Sequence, residues 1–303
     1  MRLGQAYFAA QALAGVLWWV AVFASEMVRS ATLGGLDPVL LALADIPLFA
    51  GASAVAATGN RVGLWIATGW TVLVAAGMAL YATLTGEAGW GALLMLAAGG
   101  GSVVAALLIV RGSIPTRWLI AGPFRFRTAP RATVTHYVLW TLGQLVLFWS
   151  LFLVILPAVI VLIEHRWGLW IPFPFGLRVF GLVALLLFSA LGLWSAFAIS
   201  RNGRGTPLPM AMPTALVTTG PYRWVRNPMA LAGIGQGVAV GLSIESWLVV
   251  LYALLGSAIW NWAVRPHEEA NLLETFGVVY TDYQSRVRCW IPTFRASAMV
   301  PKG

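Results

Sequence analysis

An all-α, polytopic bundle of about eight membrane-crossing helices is the fold this sequence predicts, and three observations predict it. Hydrophobic residues make up 60% of the 303 and charged residues only 10%, with a mean hydropathy of +0.83. A soluble domain is nearer half apolar and a quarter charged, so this chain cannot cover a water-facing surface. The second observation is a series of apolar runs near the roughly 20 residues that one crossing requires. The third is where the basic residues fall between those runs. Eighteen of the 19 are Arg, and Lys302 is the sole Lys.

The first run, Ala6–Ala24, follows Met1-Arg2 and resembles a signal peptide only superficially. Ser25-Glu26-Met27-Val28-Arg29 lacks a small-residue cleavage pattern, so a retained span is expected. Val39–Thr58 follows and carries Asp45 just ahead of Pro47. An acid at membrane depth marks either a functional site or a bond to a neighbouring helix. Val62–Leu84 and Trp90–Val110 complete a first group of four, residues 1–110, with almost no other chemistry.

Residues 111–135 hold five Arg together with Pro115, Pro123 and Pro130, and read as a linker. Residues 136–303 form the second region. Its spans are Tyr137–Ile163, Leu177–Ile199, Met229–Leu242 and Trp247–Val264. Met229–Leu242 has 14 residues, about 21 Å at about 1.5 Å each. That falls short of a typical hydrocarbon core of about 30 Å, so a tight hairpin with Trp247–Val264 is expected.

With the N-terminus inside, 16 basic residues fall on inner segments and three, Arg29, Arg166 and Arg178, on outer ones. This is the positive-inside asymmetry. It predicts an integral membrane protein of a bacterial-type plasma membrane, with both termini cytoplasmic. The net charge of +9 is then explained by membrane topology, and nucleic acid is not expected as a partner. A single cysteine, Cys289, excludes an intramolecular disulfide and a Cys-rich metal site; no metal is expected.

The informative polar sequence lies in two inner segments. The first ends Gly220-Pro221-Tyr222-Arg223-Trp224-Val225-Arg226-Asn227-Pro228-Met229. Its Pro and Gly exclude a continuous helix. A helical turn after Pro221 would put Arg223 and Arg226 on one face, and Asn227-Pro228 opens the next span. Two guanidiniums at a helix N-terminus form either an anion site or ordinary anchors on lipid phosphates.

The second segment reads Arg265-Pro266-His267-Glu268-Glu269, then Phe276-Gly277-Val278-Val279-Tyr280 and Tyr283, then Arg288-Cys289-Trp290-Ile291-Pro292. Adjacent glutamates on a helix point about 100° apart. One can pair with Arg265 while the other serves a ligand; a solvated helix start is the plainer alternative.

Taken together, these motifs resemble the integral-membrane methyltransferases, comprising the isoprenylcysteine carboxyl and phospholipid N-methyltransferases. The likeness covers about Arg201–Phe294. It implies S-adenosylmethionine as cofactor, held by Gly220, Pro221, Tyr222, Arg226, Asn227 and Pro228 on one side and by Glu268 and Glu269 on the other. It implies catalytic roles for Arg226, Arg265 and Glu269, a helical bundle with a short hairpin and a cytoplasmic C-terminal helix, and a lipidic or isoprenoid-like acceptor.

Two positions depart from the family's pattern. Asn227 stands where His is common, and Ala230 where Tyr is common, which bears on the acceptor more than on the cofactor.

The remaining polar residues have structural readings. Gln236 and Asn261 are placed to bond across the hairpin, and Gly233, Gly237 and Gly241 to let helices approach closely. His136, His165 and His267 lie near membrane edges, and haem-binding relatives make a His-ligated cofactor an alternative. Cys289 reads as a small apolar residue. A non-catalytic lipid-binding protein would leave two spaced motifs unexplained, and a transporter would need more polar residues within its spans.

Overall fold

The computed structural model describes residues 2–116, 129–207 and 211–293. Several positions of the sequence reading lie outside these residues: Arg117, Pro123, Arg125, Arg127, Phe294, Arg295 and Lys302. Among the described residues the protein is helical. It folds into two compact units, one of residues 1–115 with 162–170 and the other of 116–161 with 171–303.

The helices that carry the apolar runs are α1 (Arg2–Ala24), α3 (Pro38–Ala57), α4 (Arg61–Thr85), α5 (Gly89–Arg111), α6 (Val134–Arg166), α7 (Phe175–Gly203), α8 (Pro228–Ser243) and α9 (Trp247–Phe276). Seven are long enough to cross, and α8 is the short partner in the hairpin. Two shorter helices join them, α2 (Glu26–Leu33) and α10 (Val278–Arg286). The faces of these helices expose large apolar side chains, Leu80 at 60% and Leu186 at 73% among them. Such surface is stable only against hydrocarbon.

Local sequence sets the helix ends. Asp37 and Asn60 accept backbone N–H groups at the starts of α3 and α4, and Ser246 does so at the start of α9. At the far end of α4 the Arg166 guanidinium bonds the carbonyls of Thr83 and Leu84, a cation where last-turn carbonyls lack partners.

Four helices contain a wider π-turn: Ile46–Gly51, Ser150–Ile155, Ile199–Gly203 and Trp260–Val264. Pro47, Pro157 and Pro266 lie in or just beyond three of these. Proline removes an N–H and crowds the preceding turn, and a π-turn absorbs the mismatch.

In the first unit, Phe8 and Leu64 are fully buried among Ala52, Ala56, Ala67, Ala105 and Ala106. Gln11 is the polar hub. Its amide nitrogen donates to Ser53 and Thr71, and its oxygen accepts from Ser102, so α1, α3, α4 and α5 are pinned by a buried network with its members satisfied.

In the second unit α8 packs closely against both neighbours. Gly181 and Gly192 of α7 meet Leu242 and Ala232, while Gly237 and Gly241 of α8 meet Ala253 and Val250 of α9. Arg178 pairs with Glu245 at 2.9 Å and ties the hairpin turn to the start of α7.

Three expectations need correction here. Gln236 does not bond across the hairpin: it donates to Ser189 of α7 at 2.9 Å. Asn261 instead accepts from Trp290 at 3.0 Å. Gly233 does not pack against a helix; a side chain there would meet nothing within 4 Å.

Candidate active site

The polar segment between α7 and α8 is irregular, as its Pro and Gly require. Gly203 accepts backbone N–H groups from Thr214 and Ala215, and Thr206 pairs with Ala211. Gly220 has φ +63, a left-handed backbone suited to glycine, and starts a short 3-10 turn, Gly220–Arg223. Pro221 and Pro228 are fully buried; with Gly220 they shape the loop and do not line the cleft.

The tail after α10 returns to this loop. The Arg226 N–H donates to the Arg288 carbonyl, Thr293 N–H to the Trp224 carbonyl, and the Tyr283 hydroxyl to the Tyr222 carbonyl at 2.6 Å. Tyr280, Tyr283 and Val287 pack with Leu216, Leu272 and Phe276 beneath it.

These contacts bring Tyr222, Arg226, Asn227, Arg265, Glu268 and Glu269 to one cleft. Arg226 Nη1 lies 3.3 Å from Glu269 Oε1. Asn227 Oδ1 caps α8 by accepting from Ala230 N–H, and its Nδ2 donates to Glu268 Oε2 at 3.5 Å.

Two sequence expectations fail in detail. The glutamate that pairs with arginine does so with Arg226, from the loop, and not with Arg265. Arg223 does not share a face with Arg226, because the 3-10 turn ends at Arg223. Its guanidinium stacks 4.7 Å over the Trp224 ring instead.

The electrostatics follow from burial. The apolar run of α9 ends at Val264, so Glu268 stands beyond the span. Burial, and then the adjacent Glu269 charge, push the Glu268 carboxyl up to about 7. Burial also raises the Tyr222 hydroxyl well above its ordinary value, and Glu268 adds to that. The Cys289 thiol is raised by burial, which disfavours its thiolate.

Three buried donors, Arg226 Nε and Nη1 and Arg265 Nε, have no hydrogen-bond partner among the described residues. A buried guanidinium left in that state is costly, and the cleft supplies the space for an acceptor.

A second cavity, of about 690 Å³ and mostly apolar, lies between α6, α8 and α9. Phe148, Phe152, Ala230, Gly233, Tyr252 and Trp260 line it, and Asn227, Met229 and Glu268 line both it and the polar cleft. Gln144 of α6 lines it too, and both of its amide atoms are buried without a partner among the described residues. The sequence reading passed over Gln144, a lone amide in the apolar run Tyr137–Ile163. Its only signal was that a polar residue in such a run is itself unusual.

Residues 177–278, about a third of the chain, match the phospholipid methyltransferase family. The matched segment runs from α7 through the loop and hairpin past the double glutamate, so this part of the chain is similar to a membrane methyltransferase domain. No curated protein matches the chain.

Proposed function

We propose that the protein transfers a methyl group from S-adenosylmethionine to an amphiphilic, lipidic or isoprenoid-like acceptor at the cytoplasmic membrane interface. One observation carries this reading: the polar cleft and the apolar cavity meet at Asn227, Met229 and Glu268. A methyltransferase for a lipid needs that junction, because the cofactor is polar and the acceptor's tail is not.

The donor set fits the cofactor. The Nε groups of Arg226 and Arg265, which lack a hydrogen bond among the described residues, suit its carboxylate, and Glu268 and Glu269 suit its ammonium and ribose hydroxyls. The cofactor would supply an electrophilic methyl on a sulfonium. Arg226, Arg265 and Glu269 would hold and orient it, and Asn227 ties the start of α8 to Glu268. Alignment of nucleophile, methyl and leaving group is the main task in such a displacement.

Glu268 stands at the junction with its carboxyl raised to about 7. It can take a proton from an amine acceptor near neutral pH; a carboxylate acceptor would need no base. The acceptor's tail stays in the cavity beside Ala230 and Gly233. This avoids moving the tail into water, at about 0.8 kcal/mol per CH₂. Ala230, where relatives often carry Tyr, leaves that wall open.

The test is methyl transfer from radiolabelled S-adenosylmethionine to amphiphiles of graded tail length, using protein in bilayer discs. The reading predicts lipid-soluble product and apparent affinity that rises with tail length. Turnover confined to soluble acceptors, or independent of tail length, contradicts it.

A further inference from the structure

The first unit holds a cavity of about 580 Å³ that the methyltransferase reading does not use. Trp18, Trp19, Phe49, Trp70, Met78 and Asp45 are among its walls. Asp45 is buried at 8% exposure. Its Oδ2 accepts from the Trp19 indole N–H at 2.9 Å and its Oδ1 from the Trp70 indole N–H at 2.8 Å. An ionised carboxylate offers about four lone-pair sites, so with these two bonds made, two remain.

Asp45 has no ion-pair partner among the described residues. The other polar groups on the wall are committed: Tyr7 to the Ala98 carbonyl, Thr32 to the Val28 carbonyl, and Gln11 to its network. The exception is Trp18, whose indole N–H has no partner among the described residues.

We infer that this cavity is a binding site for an organic ammonium cation. A negative charge within a span requires a compensating partner, and indole faces attract alkylammonium groups strongly when water is excluded. Asp45 supplies the countercharge, Trp18, Trp19 and Trp70 supply aromatic wall, and the Trp18 N–H is left for an acceptor atom next to the cationic nitrogen. The π-turn Ile46–Gly51 directly follows Asp45 and puts Phe49 on the same wall; π-turns concentrate at functional sites.

The probe is benzyltrimethylammonium, compared with neopentylbenzene, its uncharged carbon isostere. Both are titrated into the full chain in bilayer discs, with tryptophan fluorescence and thermal melting as readouts. The site predicts saturable binding of the cation at least about tenfold tighter than of the isostere. Asp45→Asn should abolish that preference. Ala98→Leu adds bulk to the cavity wall at a residue that makes no hydrogen bond to Asp45 and should weaken binding of the cation.

Equal affinity for cation and isostere overturns the inference, as does undiminished cation binding in Asp45→Asn or Ala98→Leu. If Asp45→Asn fails to fold, the wild-type comparison and Ala98→Leu decide.

Discussion

Arg226 and Glu269, contributed by a loop and by the C-terminal part of α9, meet at 3.3 Å and close one wall of the cleft. The pair is largely buried, with side-chain exposures of 13% and 25%. Arg226 Nε and Nη1 nevertheless have no hydrogen-bond partner among the described residues. The ion pair therefore holds the guanidinium in position without satisfying it, and a bound carboxylate would complete it.

The state of Glu268 gives a pH prediction. Its carboxyl is raised to about 7 by burial and by Glu269. As pH rises through 7 it loses its proton and becomes a better partner for a cationic ligand. Apparent affinity for S-adenosylmethionine should increase from pH 6 to pH 8 and then level, by equilibrium dialysis, and Glu268→Gln should flatten the curve. The same shift has a stability consequence. An acid whose folded value lies above its unfolded one favours folding least when ionised. Thermal stability should therefore decline between pH 4.5 and 7, with a shallower slope in Glu268→Gln.

Gln144 separates acceptor binding from cofactor binding. Its amide is buried and unpartnered in the apolar cavity, which costs about 1–3 kcal/mol. Gln144→Leu should raise the melting temperature and leave cofactor affinity unchanged. It should also raise KM for an acceptor with a polar group partway along its chain. An unchanged KM would mean that the amide makes no contact with the acceptor.

The orientation is tested by fusion reporters after Arg131 and after Gly303. Both should read cytoplasmic if the eight crossings place 16 of the 19 basic residues on one side, as the positive-inside rule expects. Opposite readings would mean that one crossing has been miscounted.

What could be read from the sequence follows a physical division. The crossings were legible because an unbroken apolar run of span length is stable in few places besides a bilayer, and α8 was legibly short. The short helix α2 was not, since Glu26–Leu33 is neither apolar nor long enough to register as a span. The motif residues of the cleft were legible as a set, but their partners were not. Chain spacing suggested Arg265 for a glutamate and Asn261 for Gln236. Yet the π-turn Trp260–Val264 shifts the helical register just before the glutamates, and the loop delivers Arg226 from a distant part of the chain. Asp45 was legible as an anomaly, whereas the indoles around it come from α1 and α4 and only the fold assembles them.

The measurement that tests the account most directly is calorimetric titration of S-adenosylmethionine into the wild type, Arg226→Ala and Glu269→Ala. Arg178→Ala serves as a control, because its partner Glu245 lies at the hairpin turn. The account predicts binding by the wild type and the control, and a loss of about 1–3 kcal/mol in each cleft variant, the scale of a charge-assisted hydrogen bond. Wild-type affinity in both cleft variants, or no binding by the wild type, would contradict it.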